Sequence, residues 1–547
     1  MKYLYKYPLT ALSLVCIGIF FFHLDAFHIN IMEARNFITA REMVNDGNWL
    51  LTTINGLPRY EKPPLPTWLT AFSGILFGFK SLFAMRLPVA IMSLILILIS
   101  YKFLLKLSKN PIYALVSALV MATSFYIIVG GRDANWDMFS HSFMMLCIYF
   151  LFLLFTSHES RYKNAFLAAF FFACSFMSKG PVSMYTLMLP FLIAFGVVYK
   201  YKNFKSPLLP ILFFLLLTLF FSGWWHLYVY EHDMVNIQKV TEKEIGNWQS
   251  YKVKPFYYYW TFLRESGLWL ILGFMSLLYP YLKNRVFDKK AYLFTFLWTV
   301  GSLVLLSIVP EKKVRYLLPV FIPLAMNTGF YIEFLFRKFK ELKDIKQTFP
   351  VYLSFGLVAI FGLAFPFIGY FIIEDLLKEV NWYWFSILSF ATILIGFFML
   401  KNLIKKNIPS VFLLSISLIV SLIVFGMPLL KTFNLNPAYK SLNNLKKWEA
   451  ETQLKVYDYG LFTPEFIWSY GQSMKQLEIK NSNDFPDEEA FGVLIFYYEK
   501  PRLELEFGGN YTIENIERYD MNFKAAPGEK GHKNRLYKDL YVLRKRK

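Results

Sequence analysis

The 547 residues include 56% hydrophobic, 20% aromatic and only 18% charged side chains, where an average soluble domain has about 25% charged. So little polar surface excludes a water-soluble globule, and a chain this apolar is neither disordered nor a coiled coil. The formal net charge is +20. In such a chain Lys and Arg report topology first, so the charge is no signal for nucleic acid.

Apolar runs near 9–24, 84–105, 111–129, 138–156, 164–178, 181–199, 207–230, 266–282, 291–309, 314–336, 350–373, 381–400 and 408–430 recur along the chain. Each approaches the roughly 20 residues that cross a bilayer as a helix. The first run follows a basic MKYLYKYP and has no small-residue cleavage site after it, so it reads as an uncleaved span. The stretch 65–79 is only about 15 residues long, the length of a re-entrant or interfacial segment. If it does not cross, one set of loops collects Lys2/Lys6, Lys102/Lys106/Lys109, Arg161/Lys163, Lys200/Lys202/Lys205, Lys283/Arg285/Lys289/Lys290, Arg337/Lys338/Lys340/Lys343 and Lys401/Lys405/Lys406. That is the positive-inside pattern without a phase break. The expectation is a mainly α, polytopic membrane protein with about thirteen helices, the N-terminus in the cytoplasm and the tail outside. Residues 1–430 form the membrane domain and 431–547 an extracytoplasmic domain. The tail is polar and reads as mixed α/β, with a helix over 437–450 and strands near 454–459, 491–498 and 540–543. Cys16, Cys147 and Cys174 sit inside apolar runs and offer no disulfide or zinc spacing.

A second population of charge lies on the opposite, outer side, in segments 25–83 and 231–265 and in short turns. Asp25, Glu33, Arg35 and Arg41 follow the first run. Arg59, Glu61 and Lys62 precede Pro63-Pro64. Arg132, Asp133 and Asp137 lie in GGRDANWD, Lys179 in SKGP, and Glu311, Lys312, Lys313 and Arg315 in PEKKVRY. One such residue at a span end is ordinary snorkelling. Five such groups on one face, with Lys62, Lys179, Lys312 and Arg315 all breaching the positive-inside preference, point to a site. Converging cations suit a phosphate, and an acid among them serves chemistry rather than anion binding. In the tail, Asp458, Glu465 and Glu499 are candidate ligand contacts.

At these residues the chain resembles the polyprenyl-phosphate-dependent glycosyltransferases of the aminoarabinose (lipid A) transferase and protein O-mannosyltransferase type, whose fold is called GT-C. The shared elements are Ala40-Arg41-Glu42-Met43, Gly47-x-Trp49, Asn55-Gly56 and Glu61-Lys62-Pro63-Pro64, followed by GGRDANWD, SKGP, the Gly223-Trp224-Trp225 loop and KKVRYLLP, over roughly residues 1–330. The resemblance implies a bacterial inner-membrane enzyme with its site on the periplasmic side. It would pass a sugar, with inversion, from an undecaprenyl phosphate donor to lipid A or another glycan or protein acceptor. It implies Glu33, Asp137 and Asp25 as catalytic acids, the family's leading Asp being Met32 here. Lys62, Lys179, Lys312, Arg315 and Arg132 would hold phosphate. A divalent metal ion (Zn, Mg or Mn) would sit at Glu61 with Glu242 or Glu244, of which Glu244 is preferred. The alternative is a lipid-linked sugar transporter or flippase, which would carry its charges near the bilayer midplane and repeat its halves. Neither feature is visible here.

Overall fold

The computed structural model describes residues 6–157, 159–201, 208–376, 381–430, 436–477 and 486–546. Lys2, Lys202 and Lys205, used in the charge argument, lie outside them. The chain divides into two compact units. The first comprises Met1–Ala26, Tyr60–Ile372 and Asn381–Leu429, and the second Phe27–Arg59, Ile373–Val380 and Leu430–Lys547. The sequence places residues 25–83 in one outer segment of the membrane domain. The structure instead assigns 27–59 to the same unit as the tail.

The first unit is helical. Eight described helices are long and apolar enough to cross a membrane, from Leu82–Ser108 to Ile408–Leu430, and a ninth arises if Pro111–Ala122 and Phe125–Arg132, bent by 61°, count as one span. This is a multi-pass membrane protein. The other runs expected from hydropathy are helical but shorter, broken or less apolar. Gly267, at φ 67°, breaks the helical segment that opens the 266–282 run. Pro8–Phe20, Leu65–Phe77 and Met184–Tyr199 are apolar but short. The 13 residues of Leu65–Phe77 reach roughly 20 Å, short of a hydrocarbon core of roughly 30 Å.

Local sequence sets the helix ends. Ser81 caps Leu82–Ser108 through Ala84 N, and Asn110 caps Pro111–Ala122 ahead of a proline at the first helical position. Small residues let helices approach closely, as packing without a hydrophobic drive in lipid demands. A Cβ on Gly396 would come within 2.8 Å of the Ala359 carbonyl, and one on Gly362 within 2.9 Å of the Thr392 carbonyl.

The second unit is α/β. After the helix Ile31–Asn45 come the hairpin strands β1 (Thr53–Ile54) and β2 (Leu57–Pro58). Their two-residue turn is Asn55-Gly56, with φ 54° and 75°, the left-handed pair a tight hairpin requires. The tail adds β3 (Val456–Tyr459), β4 (Gln476–Leu477), β5 (Ala490–Phe496), β6 (Tyr511–Asp520) and β7 (Tyr537–Lys545), in the order β4-β3-β5-β7-β6. β3 pairs parallel with β4 and β5, whereas β7 pairs antiparallel with β5 and β6. Ile38 joins Leu442, Leu445, Val456, Phe466, Ile467 and Leu540 in one core, so helix 31–45 is built into this unit. Arg41 donates to the Ile467 carbonyl at 3.3 Å and lies over the Trp468 ring. Glu42 gathers Thr53 Oγ1 and Asn55 N at 2.7 Å each, Gly56 N at 3.3 Å and Ser473 Oγ at 3.2 Å. The Ala-Arg-Glu-Met and Asn-Gly elements are therefore clamps that hold the hairpin and helix to the tail.

Candidate active site

Asp137 opens the helix Trp136–Thr156, where the Asn135 side chain accepts its backbone N–H at 2.9 Å. That end of a helix carries positive partial charge and suits a carboxylate. Gly130 and Gly131 precede it because two helices come too near for any side chain. A Cβ on Gly131 would meet Phe20 Cε1 and Ser93 Oγ at 2.6 Å, and one on Gly130 would meet Leu318 Cδ1 at 2.6 Å. Lys179 ends the helix Arg161–Lys179, and Gly180, at φ 69°, turns the chain away from it. Lys179 and Asp137 form a buried ion pair.

A third segment closes on this pair. Residues 251–254 and 310–312 are clasped backbone to backbone: Lys254 N donates to the Pro310 carbonyl and Lys312 N to the Lys252 carbonyl, both at 3.3 Å. The Tyr259 hydroxyl donates to the Lys313 carbonyl at 3.1 Å and accepts from Lys313 N at 3.0 Å. This presents Tyr316, whose ring has Lys179 Nζ at 4.7 Å, Lys313 Nζ at 5.5 Å and the Arg315 guanidinium at 5.6 Å from its centroid. Arg315 lies within electrostatic reach of Asp137, and Lys62 within reach of Lys179. Two expected phosphate cations, Lys179 and Arg315, thus face one expected acid, Asp137, and a third, Lys62, lies within reach of Lys179.

The other expected residues lie elsewhere or are otherwise engaged. Arg132 is buried, and its guanidinium donates to the carbonyls of Ile19, Phe22 and His23 at 2.6, 2.8 and 2.7 Å. It closes the end of the first helix, with Asp25 and Arg86 as its charged neighbours. Arg86 itself donates to the Leu24 carbonyl at 2.6 Å. Glu33 belongs to the second unit, where it completes a capping box. It accepts from Asn30 N at 3.3 Å and Asn30 Nδ2 at 3.0 Å, while Asn30 caps Glu33 N. The Asn30-x-x-Glu33 spacing carried that signal in the sequence. Lys312 turns back onto the Val309 carbonyl at 2.6 Å, and burial lowers the pKa of its ammonium. Its neighbour Lys313, absent from the expected phosphate set, points to Tyr316 and pairs with Glu311. Burial is the largest influence on Lys313 and opposes its charge, but Glu311 and Tyr316 together outweigh it and the pKa is raised. No spacing rule separates two adjacent lysines.

Glu61 and Glu244 do meet across one surface. The pairs Lys62–Glu244 at 3.6 Å and Lys243–Glu61 at 4.0 Å cross-link the Glu61-Lys62 loop to the helix Met234–Ser250. Tyr60 fastens the start of that helix by donating to Asp233 at 2.8 Å. Two carboxylates facing two ammonium groups are electrically balanced, whereas a divalent ion is held by three or more ligands. Among the described residues no three His, Cys, Asp or Glu side chains come together, so Glu61 and Glu244 by themselves would supply only two side chains to a metal. In the tail, Glu465 is held by Arg535 at 2.6 and 2.8 Å and Asp458 by the buried Lys538.

Comparison with known proteins bears on the fold. Residues 61–225 match the family described as dolichyl-phosphate-mannose-protein mannosyltransferase. The structure of ArnT from Cupriavidus metallidurans bound to undecaprenyl phosphate aligns over 97% of this chain and 97% of its own, with TM-score 0.70 and 15% identity. The fold is GT-C. The resemblance read from the sequence motifs is borne out, as is the mainly helical fold with its separate α/β region. Among curated relatives, an undecaprenyl phosphate-alpha-4-amino-4-deoxy-L-arabinose arabinosyl transferase of Proteus mirabilis is 26% identical over 350 residues, covering 61% of this chain and 60% of its own. An uncharacterized Aquifex aeolicus protein is 25% identical over 326 residues, 58% of this chain and 62% of its own. The matches thus span about 60% of these relatives. Within the GT-C framework, the Asp137–Lys179–Arg315 cluster and Glu61-Lys62 are built from GGRDANWD, SKGP, KKVRYLLP and EKPP.

Proposed function

We propose that this protein is a glycosyltransferase of the bacterial inner membrane, taking a sugar from an undecaprenyl phosphate donor. It delivers the sugar, with inversion, to lipid A or another glycan or protein acceptor on the periplasmic side. The observation that carries this reading is one carboxylate, Asp137, paired with Lys179 and faced by Arg315, with Lys62 near Lys179, at the end of a helical bundle. Relatives named as undecaprenyl-phosphate-dependent arabinosyl transferases support the donor class.

The chemistry follows from the charges. A sugar linked to a lipid phosphate is a diester with one negative charge, and its leaving group is a monoester with nearly two. Cations that meet the second charge are worth more in the transition state than in the ground state. As the C1–O bond to phosphate breaks and the acceptor oxygen bonds to C1, the phosphate draws Lys179 and Arg315. Asp137, partly released from Lys179, takes the proton of a hydroxyl acceptor. No step needs a metal, given how Glu61 and Glu244 are paired. Dialysis of purified enzyme against a chelator is therefore expected to leave transfer unchanged. Loss of activity restored by one added divalent ion would overturn that part.

The whole reading is tested by mass spectrometry of surface lipids and glycoproteins from cells with and without the protein, together with transfer in purified membranes. One class should lose a sugar mass, and membranes should restore it from a synthetic undecaprenyl phosphate sugar. Labelled donor crossing the bilayer with no transfer product would reject the assignment in favour of a transporter.

A further inference from the structure

The bundle buries a polar chain beneath Asp137 that the transfer described above leaves unused. Ser140, His141, Ser175 and Ser183 are between 0% and 1% exposed. The Ser140 and Ser183 hydroxyls lie 2.7 Å apart, and Ser183 Oγ lies 2.8 Å from His141 Nδ1. Each hydroxyl has one proton to give. Ser175 gives its proton to the Ser140 carbonyl at 2.8 Å. The nearest acceptor for Ser140 is Ser183; its other options, the Ser175 carbonyl and hydroxyl, lie at 3.2 and 3.3 Å. Ser183 then donates to Nδ1, and a neutral ring that accepts at Nδ1 carries its proton on Nε2. That Nε2 is buried and has no hydrogen-bond partner, a costly state for a donor.

Helix geometry says where this donor points. His141 stands four residues after Asp137 on the helix Trp136–Thr156, on the same face and one turn along. Helical side chains lean toward the N-terminus, so the imidazole covers the Asp137 turn. Asp137 and Lys179 both lie within its electrostatic reach. The other charged or titratable groups around the pair are Arg315, Lys62 and Tyr126.

We propose that His141 is a positioning residue for transfer: the serine chain holds its Nε2–H toward Asp137, so the carboxylate keeps a neutral donor when Lys179 turns to the leaving phosphate. The proposal rests on the glycosyltransferase reading of Asp137. It is tested on the full-length protein in lipid nanodiscs with His141→Leu, His141→Gln and Ser183→Ala. His141→Leu should lower kcat about tenfold or more, the size of one hydrogen bond made in the transition state, with donor KM within about twofold. His141→Gln, whose amide restores an N–H at similar reach, should recover most of that loss. Nitrogen-15 spectra of histidine-labelled protein, with His141 assigned by difference against His141→Gln, should show the proton on Nε2. Ser183→Ala should shift that signal toward mixed tautomers. A proton on Nδ1, an unchanged kcat in His141→Leu, or His141→Gln as slow as His141→Leu would each overturn it. If the wild type itself transfers no sugar, the functional reading fails, and the tautomer spectrum still reports on the serine chain by itself.

Discussion

Asp137 and Glu33 are both buried carboxylates, and their partners separate their roles. Asp137 is paired with one lysine amid further cations, and its neutralisation leaves that positive charge with nothing to exchange for. Asp137→Asn should reduce transfer by about 10²–10³-fold, the range seen when one transition-state group is removed, while immunoblots show normal accumulation. Glu33 accepts from the Asn30 backbone and side chain in a capping box, and glutamine serves equally in that position. Glu33→Gln is therefore expected to retain near-normal transfer in the same membranes, and an inactive Glu33→Gln would return the role of base to Glu33. The sequence showed every one of these charges. What it could not show is which carbonyls Arg132 and Lys312 would meet, because a guanidinium that ties down a helix end and one that grips phosphate look alike in one dimension.

The glycines of GGRDANWD set how closely the helices can pack around the acid. The helix Phe125–Arg132 lies against Phe20, Ser93 and Leu318 with no room for a Cβ. Gly131→Ala should force the first helix away and lower stability by about 1–3 kcal/mol, the cost of overpacking, read as a lower apparent melting temperature in detergent. If the melting temperature were unchanged, the close contact would have no energetic weight. The apolar runs were legible as helices because hydropathy is a local property. Their breaks were less so, since the 61° bend after Ala122 and the turn at Gly267 depend on what packs beside them. In the tail, three of the five strands fall near the expected runs, but β6 (YTIENIERYD) is too polar to show the alternation that signals a strand.

The division into units changes how the tail should be tested. Residues 27–59 share the tail's core through Ile38 and its clamps through Arg41, Glu42 and Asn55. A chain ended after Leu430 would leave that segment with exposed apolar surface and would strip Arg41 and Asn55 of their partners in the tail. It should fail to accumulate, judged by quantitative immunoblotting of membranes. A truncated protein present at wild-type level would show that 27–59 folds unaided. The sequence by itself determined that this is a multi-pass membrane protein with a polar α/β tail and, through its motifs, a GT-C likeness, because composition and short-range spacing are carried by the chain directly. Only the tertiary structure decided that Asp137 meets Lys179 across 42 residues of sequence, that Lys313 and not Lys312 turns to Tyr316, and that the first outer segment, 25–83, is split between two units. Those outcomes depend on which helix ends lie side by side, and electrostatics falls off over a few ångströms in space, not along the chain.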